Sequence, residues 1–163
     1  MKAKGFAPCC HGDCDTLILG SFPSVKSRET DFYYGHPQNR FWRTLAEYFG
    51  CPVPSGVAEK KAMLAAHGIA LWDVVTECEI KGSEDASIRD YTVADVPSLV
   101  RSCGIKRIFV NGKRALDILL DSYPALSPMV MCLPSTSPAN PRFDKNAWFA
   151  ALDGFSPDFR LLP

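Results

Sequence analysis

Four short apolar runs punctuate the chain: TLILG at 16–20, IALWDVV at 69–75, RIFVNG at 107–112 and MVMCLP at 129–134. They constrain the fold more than any other feature. Each is rich in Ile, Leu and Val, and none alternates cleanly between apolar and polar residues. That is how a strand reads when both of its faces are covered. Helical patterns fill the intervals. FWRTLAEYF (41–49) puts Phe41, Leu45 and Tyr48 on one face, and VAEKKAMLAAHG (57–68) runs into a glycine stop. TVADVPSLVRSCG (92–104) opens with Thr92 as a cap and closes on Gly104. GKRALDILLDSY (112–123) is amphipathic, and DKNAWFAALDG (144–154) comes last. This order predicts an α/β fold, a three-layer sandwich with a central, mainly parallel four-stranded sheet flanked by helices. Right-handed crossovers place those helices on both faces.

The 163 residues suit a single domain over 1–163 and suffice to bury a core. No apolar run approaches the roughly 18 residues that span a bilayer, so no membrane partner is expected. MKAKGFAPCC has two lysines but no long apolar segment, so it does not read as a signal peptide. Seven cysteines, several inside apolar stretches, fit a reducing compartment better than a disulfide framework, and a cytoplasmic protein is expected. The net charge is zero, which gives no overall push toward nucleic acid. The split is uneven: residues 1–100 hold 10 Lys/Arg against 13 Asp/Glu, and residues 101–163 hold 8 against 5. That permits a local basic face.

In parallel sheets, ligands bind outside the carboxyl ends of the strands. The rule directs attention to GSFPS after the first run, DVVTECEIKGSED after the second, NGK after the third and PSTSPANP after the fourth. GSFPSVKSRET lacks the spacing of a phosphate loop. It continues without a strong helix signal into DFYYGHPQNRFW, and ordered loops of this length are uncommon and often functional. PSTSPANP sets hydroxyls and backbone N–H groups in a proline-stiffened loop, which suits phosphate contacts or, equally, a polar surface turn.

GSFPS, FYYGHPQNRFW and LPSTSPAN, in this order and over nearly the whole chain, resemble the uracil-DNA glycosylase superfamily. The Gly-Ser-x-Pro turn and the Leu-Pro-Ser-Thr-Ser-Pro-Ala motif look closest to its hypoxanthine-DNA glycosylase (deoxyinosine glycosylase) branch. The resemblance implies a monofunctional enzyme of base-excision repair that hydrolyses the N-glycosidic bond of deaminated bases flipped out of DNA. It implies DNA as partner, no cofactor, and a monomer. Mismatch-specific members carry a catalytic Asn in the first turn, where this chain has Phe22, and an aromatic ring cannot orient a water. In the hypoxanthine branch the role falls to the Asn of His-Pro-x-Asn, here Asn39, whose alternative is a structural amide that bonds the loop backbone.

By the same resemblance Gly20, Ser21, Phe22, Tyr34 and Asp73 border the base, with Tyr34 either stacking on it or packing in the core. Asp73 either accepts the N1–H of hypoxanthine or caps the next turn. Tyr33 is the neighbour that faces inward, and Phe41 and Trp42 read as core. His36 either donates to the base or a phosphate, or is structural. Ser135, Thr136 and Ser137 contact phosphates, while Pro138, Ala139 and Asn140 approach the gap left in the duplex. Arg142 and Lys113 add phosphate contacts, and GSED (82–85) borders the pocket. CCHGDC (9–14) gathers Cys9, Cys10, His11 and Cys14, but no partner pair at a diagnostic spacing follows, and no metal is expected. The competing readings are a mismatch-directed uracil glycosylase and a non-catalytic DNA- or nucleotide-binding module.

Overall fold

The structure, a computed structural model, describes residues 2–79 and 89–154. Its strands are β1 (Ala3–Lys4), β2 (Thr16–Gly20), β3 (Ile69–Asp73), β4 (Val75–Glu79), β5 (Arg89–Val93), β6 (Arg107–Asn111) and β7 (Val130–Leu133). Its helices are α1 (Val25–Thr30), α2 (Phe41–Phe49), α3 (Gly56–Ala66), α4 (Val96–Cys103), α5 (Lys113–Ser122) and α6 (Lys145–Gly154). The expected four strands form one parallel sheet in the order β3-β2-β6-β7.

Both faces of that sheet are covered, as the unbroken apolar runs require. Leu17 and Leu19 of β2, with Ile108 and Val110 of β6, face one layer with Leu99 of α4 and Ile118 and Leu119 of α5. Ile18 and Phe109 face the other, with Phe41 and Leu45 of α2, Leu64 of α3 and Trp148 of α6. All six strand residues named here are fully buried. Burying such side chains contributes roughly 1.5–3 kcal/mol each. The alternation of strand residues between layers thus converts four apolar runs into a three-layer sandwich.

Three departures from the expected elements have local causes. The segment after β3 is not a loop. Val74 leaves the strand, and β4 then pairs antiparallel with β1 and β5 in a second, three-stranded sheet. Thr92 therefore lies in β5 rather than capping α4. The cap is Asp95, whose carboxylate accepts from the Ser98 amide at 3.1 Å, with Gly104 closing the helix at φ 71°. Helix α1 has no apolar period to announce it. It forms because the Ser24 hydroxyl accepts from the Ser27 amide at 3.1 Å and caps its first turn.

The cysteines also differ from the expected free set. Cys10 and Cys103 are disulfide-bonded, and the other five are free. Cys9 Sγ lies 3.4 Å from His11 Nε2. Among the described residues no three His, Cys, Asp or Glu side chains are grouped to hold a metal ion, and no helix is long and apolar enough to cross a membrane.

Candidate active site

Strand order reverses direction between β2 and β6, because β3 lies on one side of β2 and β7 beyond β6. A crevice opens at such a switch point, at the carboxyl ends of the strands. Here it is a cleft of about 760 Å³, within the size range of small-molecule sites. Gly20 closes β2, Asp73 closes β3 and Asn111 closes β6, and all three line it. The loop after β7 supplies the far wall. Asn39, the five residues expected at the base and the six expected at the DNA in the loop after β7 line this cleft, but their side chains do different things.

The aromatic segment is set by α1. Ser27, buried in that helix, accepts the Gly35 amide at 2.8 Å and so anchors the turn over 32–36. Within the turn, Tyr33 and Tyr34 part company. Tyr33 is 2% exposed, and its hydroxyl donates to Ala7 O at 2.7 Å. Burial, then the nearby charges of Asp73 and Tyr34, pushes its phenol far above the ordinary range. Tyr34 instead takes a left-handed backbone (φ 53°) and stacks on Phe41, with ring centroids 4.2 Å apart. A bulky residue in that region costs roughly 1–3 kcal/mol, and such strain clusters at ligand clamps. Phe41 and Trp42 are core residues, as expected, and the Trp42 indole donates to Tyr33 O at 3.0 Å.

Asn39 is committed at one atom. Its Oδ1 accepts the Phe41 amide at 2.9 Å, filling the capping role at a helix whose N-cap residue, Arg40, supplies no side-chain bond. Because the partner is an N–H, the amide is oriented without ambiguity. One lone pair of Oδ1 and the whole Nδ2 group remain for chemistry. Beside it, His36 Nδ1 accepts the Gln38 amide at 3.0 Å. In the neutral ring the proton therefore resides on Nε2, which leaves a donor at the cleft.

Asp73 is 5% exposed at the cleft floor. It faces the bare Cα of Gly20. A methyl group at Gly20 would meet Asp73 Oδ1 at 2.5 Å and the Tyr34 hydroxyl at 3.0 Å. Phe22 is 8% exposed, with the Arg28 guanidinium 5.5 Å over its ring, so it packs as a wall rather than presenting a polar group.

The loop 135–141 is held from two sides. Asn111 bonds Thr136 at both its amide and its hydroxyl. Arg40 donates from its backbone to Thr136 O at 3.1 Å, and from Nη1 to Ser137 O at 3.2 Å and Asn140 O at 3.0 Å. Thr136 departs from the expected phosphate contact: at 1% exposure, with Asn111 on its hydroxyl, its side chain is an internal post of the loop. Asn140 also turns inward, its Nδ2 donating to Ser135 O at 2.9 Å. Ser135, Ser137, Pro138 and Ala139 remain on the open rim of the cleft. Lys113 pairs with Asp117 at 3.2 Å, and neither Lys113 nor Arg142 lines the cleft. GSED (82–85) lies outside the described residues. The sequence reading passed over Asn111, although an amide closing an apolar strand run is a signal for a buried polar clamp. It passed over the part Arg40 plays as well.

Comparison with known proteins shows where the chain and its fold belong. The model of the uracil DNA glycosylase superfamily matches residues 8–152. A hypoxanthine DNA glycosylase of Methanosarcina acetivorans is 35% identical over 151 residues, covering 90% of this chain and 93% of its own. One from Methanosarcina barkeri is 34% identical over 117 residues, 71% of this chain and 74% of its own. The solution structure of a candidate uracil DNA glycosylase from Methanosarcina acetivorans superposes with a TM-score of 0.79 at 32% identity, covering 92% of this chain and 96% of that one.

Proposed function

This chain belongs to the uracil DNA glycosylase superfamily, and we propose that its cleft receives a hypoxanthine nucleotide flipped out of DNA and hydrolyses the N-glycosidic bond. The observation that carries the reading is the convergence of Tyr34, Asn39 and Asp73, from two separate segments of the chain, on one cleft. A base inside a duplex is out of reach, and extruding it takes a few kcal/mol, least for mispaired deaminated bases. Bond cleavage leaves positive charge on the sugar and negative charge on the departing base. The site must therefore supply an oriented water, polar groups at the base and a stacking surface.

Asn39 supplies the first. With one lone pair on Phe41 N–H, the other lone pair of Oδ1 accepts from the attacking water. A neutral amide takes no proton, so its part is positioning. Water oxygen bonds to C1′, the bond to the base nitrogen breaks with its electron pair leaving on the base, and the water's proton ends on the base directly or through solvent. His36 Nε2–H is placed to donate to that base. Tyr34 stacks on it, backed by Phe41, and Phe22 closes the other wall.

Asp73 reads the base. A carboxylate accepts the N1–H of hypoxanthine but meets a lone pair at N1 of adenine, so it rejects the undamaged parent. A site built to hydrogen-bond its substrate discriminates strongly against an analogue lacking the donor. Ser135 and Ser137 meet flanking phosphates, and Pro138 and Ala139 enter the gap as a stiff wedge. The enzyme acts as a cytoplasmic monomer, in a single glycosylase domain over 1–163.

The test is strand scission at the abasic product. Duplexes carrying one deoxyinosine, uracil, xanthine or no lesion are incubated with the protein and split with hot alkali. Breakage at deoxyinosine is expected. Breakage at uracil alone would overturn the assignment of Asp73 and Phe22, and none on any lesion by folded protein would overturn the enzymatic reading.

A further inference from the structure

We infer that Arg40 is a positioning residue that locks the loop 135–141 to the Asn39 segment, and that it is not a phosphate ligand. An arginine at the rim of a DNA-binding cleft ordinarily reads as a phosphate contact. This one is turned the other way. Its Nη1 donates to the carbonyls of Ser137 and Asn140, residues 97 and 100 positions away, and its backbone N–H takes Thr136 O. Its guanidinium lies 5.1 Å over the Phe143 ring, and its own carbonyl accepts from the Thr44 hydroxyl at 2.7 Å. Among the described residues no carboxylate pairs with it.

The consequence follows from chain neighbours. Arg40 is bonded to Asn39, whose Oδ1 is fixed by Phe41 N–H. The loop carrying Ser135, Ser137, Pro138 and Ala139 and the amide that orients the water are therefore one hydrogen-bonded unit. Strain placed on the loop by a docked duplex passes to Asn39 through a guanidinium whose Nη1 holds two carbonyls while its plane lies over the Phe143 ring. Lysine offers a point charge and cannot reproduce both contacts with the stack.

This inference rests on the glycosylase reading for its kinetic readout, so a second readout is independent of activity. Arg40→Ala and Arg40→Lys are compared with the full-length parent. Without DNA, amide hydrogen exchange at Ala139, Asn140 and Phe41 is expected to accelerate in both variants. With enzyme in excess over whichever lesion duplex the parent cleaves, the single-turnover rate is expected to fall at least about tenfold in both, a transition-state loss of about 1.4 kcal/mol. The slope of log K against log salt is expected to stay at the parent's value. A slope shallower by about 0.9 in Arg40→Ala, restored in Arg40→Lys, would make Arg40 a phosphate ligand and overturn the inference. So would unchanged exchange at those amides, or a full parental rate in Arg40→Lys. Should Arg40→Ala melt below the assay temperature, Arg40→Lys carries the test alone. A parent that excises nothing sinks the glycosylase reading, while the exchange data still decide the lock.

Discussion

Asn111 holds Thr136 at two points, its Nδ2 donating to the Thr136 hydroxyl at 2.9 Å and its Oδ1 accepting the Thr136 amide at 3.0 Å. Both residues are buried, at 8% and 1% exposure. A strand end of the central sheet is thereby pinned to the loop that forms the far wall of the cleft. Removing the amide strands a donor and an acceptor where water does not reach, at a penalty of about 1–3 kcal/mol. Asn111→Ala is expected to lower the urea midpoint accordingly. Excision should slow by more than the lost stability accounts for, because the loop loses its register. A midpoint equal to the parent's would show that Thr136 is held some other way.

Asn39 carries two duties that a single alanine substitution confounds. Loss of its Oδ1 removes both the bond to Phe41 N–H and the oxygen assigned to the water. Caps of this kind are worth about 1 kcal/mol. Asn39→Ala should therefore lose both turnover and some thermal stability, while lesion binding survives. Asn39→Asp keeps an acceptor for Phe41 N–H and should melt close to the parent. If Asn39→Ala turns over at the parental rate, the water-orienting assignment falls, whatever its melting temperature.

Tyr34 holds a left-handed backbone and a stack on Phe41 at the same time. In Tyr34→Ala the aromatic surface against the base is gone, and affinity for a lesion duplex should fall about 5- to 150-fold, the scale of about 1–3 kcal/mol for one base–aromatic stack. Affinity for an undamaged duplex, where no base is flipped, should not change. Equal losses on both duplexes, read by fluorescence anisotropy, would mean that Tyr34 supports the fold and does not meet the base.

How much of this was legible in the chain follows from what each feature depends on. The parallel sheet was legible because a strand covered on both faces must be apolar at every position, and 16–20 or 107–111 cannot hide that. Strands β4 and β5 were not, since their exposed positions break the apolar run and β4 finds its other partner, β1, far back along the chain, with Ala3 opposite Cys78. The cleft residues were legible through their motifs, as were the inward turn of Tyr33 and the core placement of Phe41 and Trp42. What the motifs could not give was orientation. Thr136 and Ser137 are neighbours in one polar string, yet one hydroxyl points into Asn111 and the other accepts from Ala139 N–H on the rim. Only a tertiary contact decides between them, 25 residues back at Asn111, and the orientation of Arg40 is likewise set by partners 97 and 100 residues away.

Tyr33 makes a prediction in alkali. Its phenol is raised above the ordinary 10.0, first by burial and then by the Asp73 carboxylate. Below pH 10 both folded and unfolded chains keep the proton, and Tyr33 contributes nothing to pH dependence. Above it the unfolded chain releases the proton and the folded chain does not, so stability falls as pH rises. Tyr33→Phe removes that contribution. Its urea midpoint should decline less steeply than the parent's between pH 9.5 and about 11. Parallel declines would place the alkaline sensitivity elsewhere.

Gly20 offers the sharpest separation between fold and chemistry. It ends β2 in register with Asp73 at the end of β3. Its backbone is not left-handed, so alanine is tolerated there conformationally. The obstacle is space: the added methyl would lie 2.5 Å from Asp73 Oδ1 and 3.0 Å from the Tyr34 hydroxyl. One of the two must give way, and the carboxylate is the nearer. Overpacking of this kind destabilises by about 1–3 kcal/mol, which leaves a folded protein when native stability is about 5–15 kcal/mol. A displaced carboxylate no longer meets N1–H of hypoxanthine. Gly20→Ala is thus expected to remain folded by circular dichroism, to bind undamaged duplex as the parent does, and to lose excision of deoxyinosine by at least about tenfold. Full excision by a folded Gly20→Ala would mean that the floor of the cleft yields without harm, and that Asp73 caps the turn into β4 rather than reading the base.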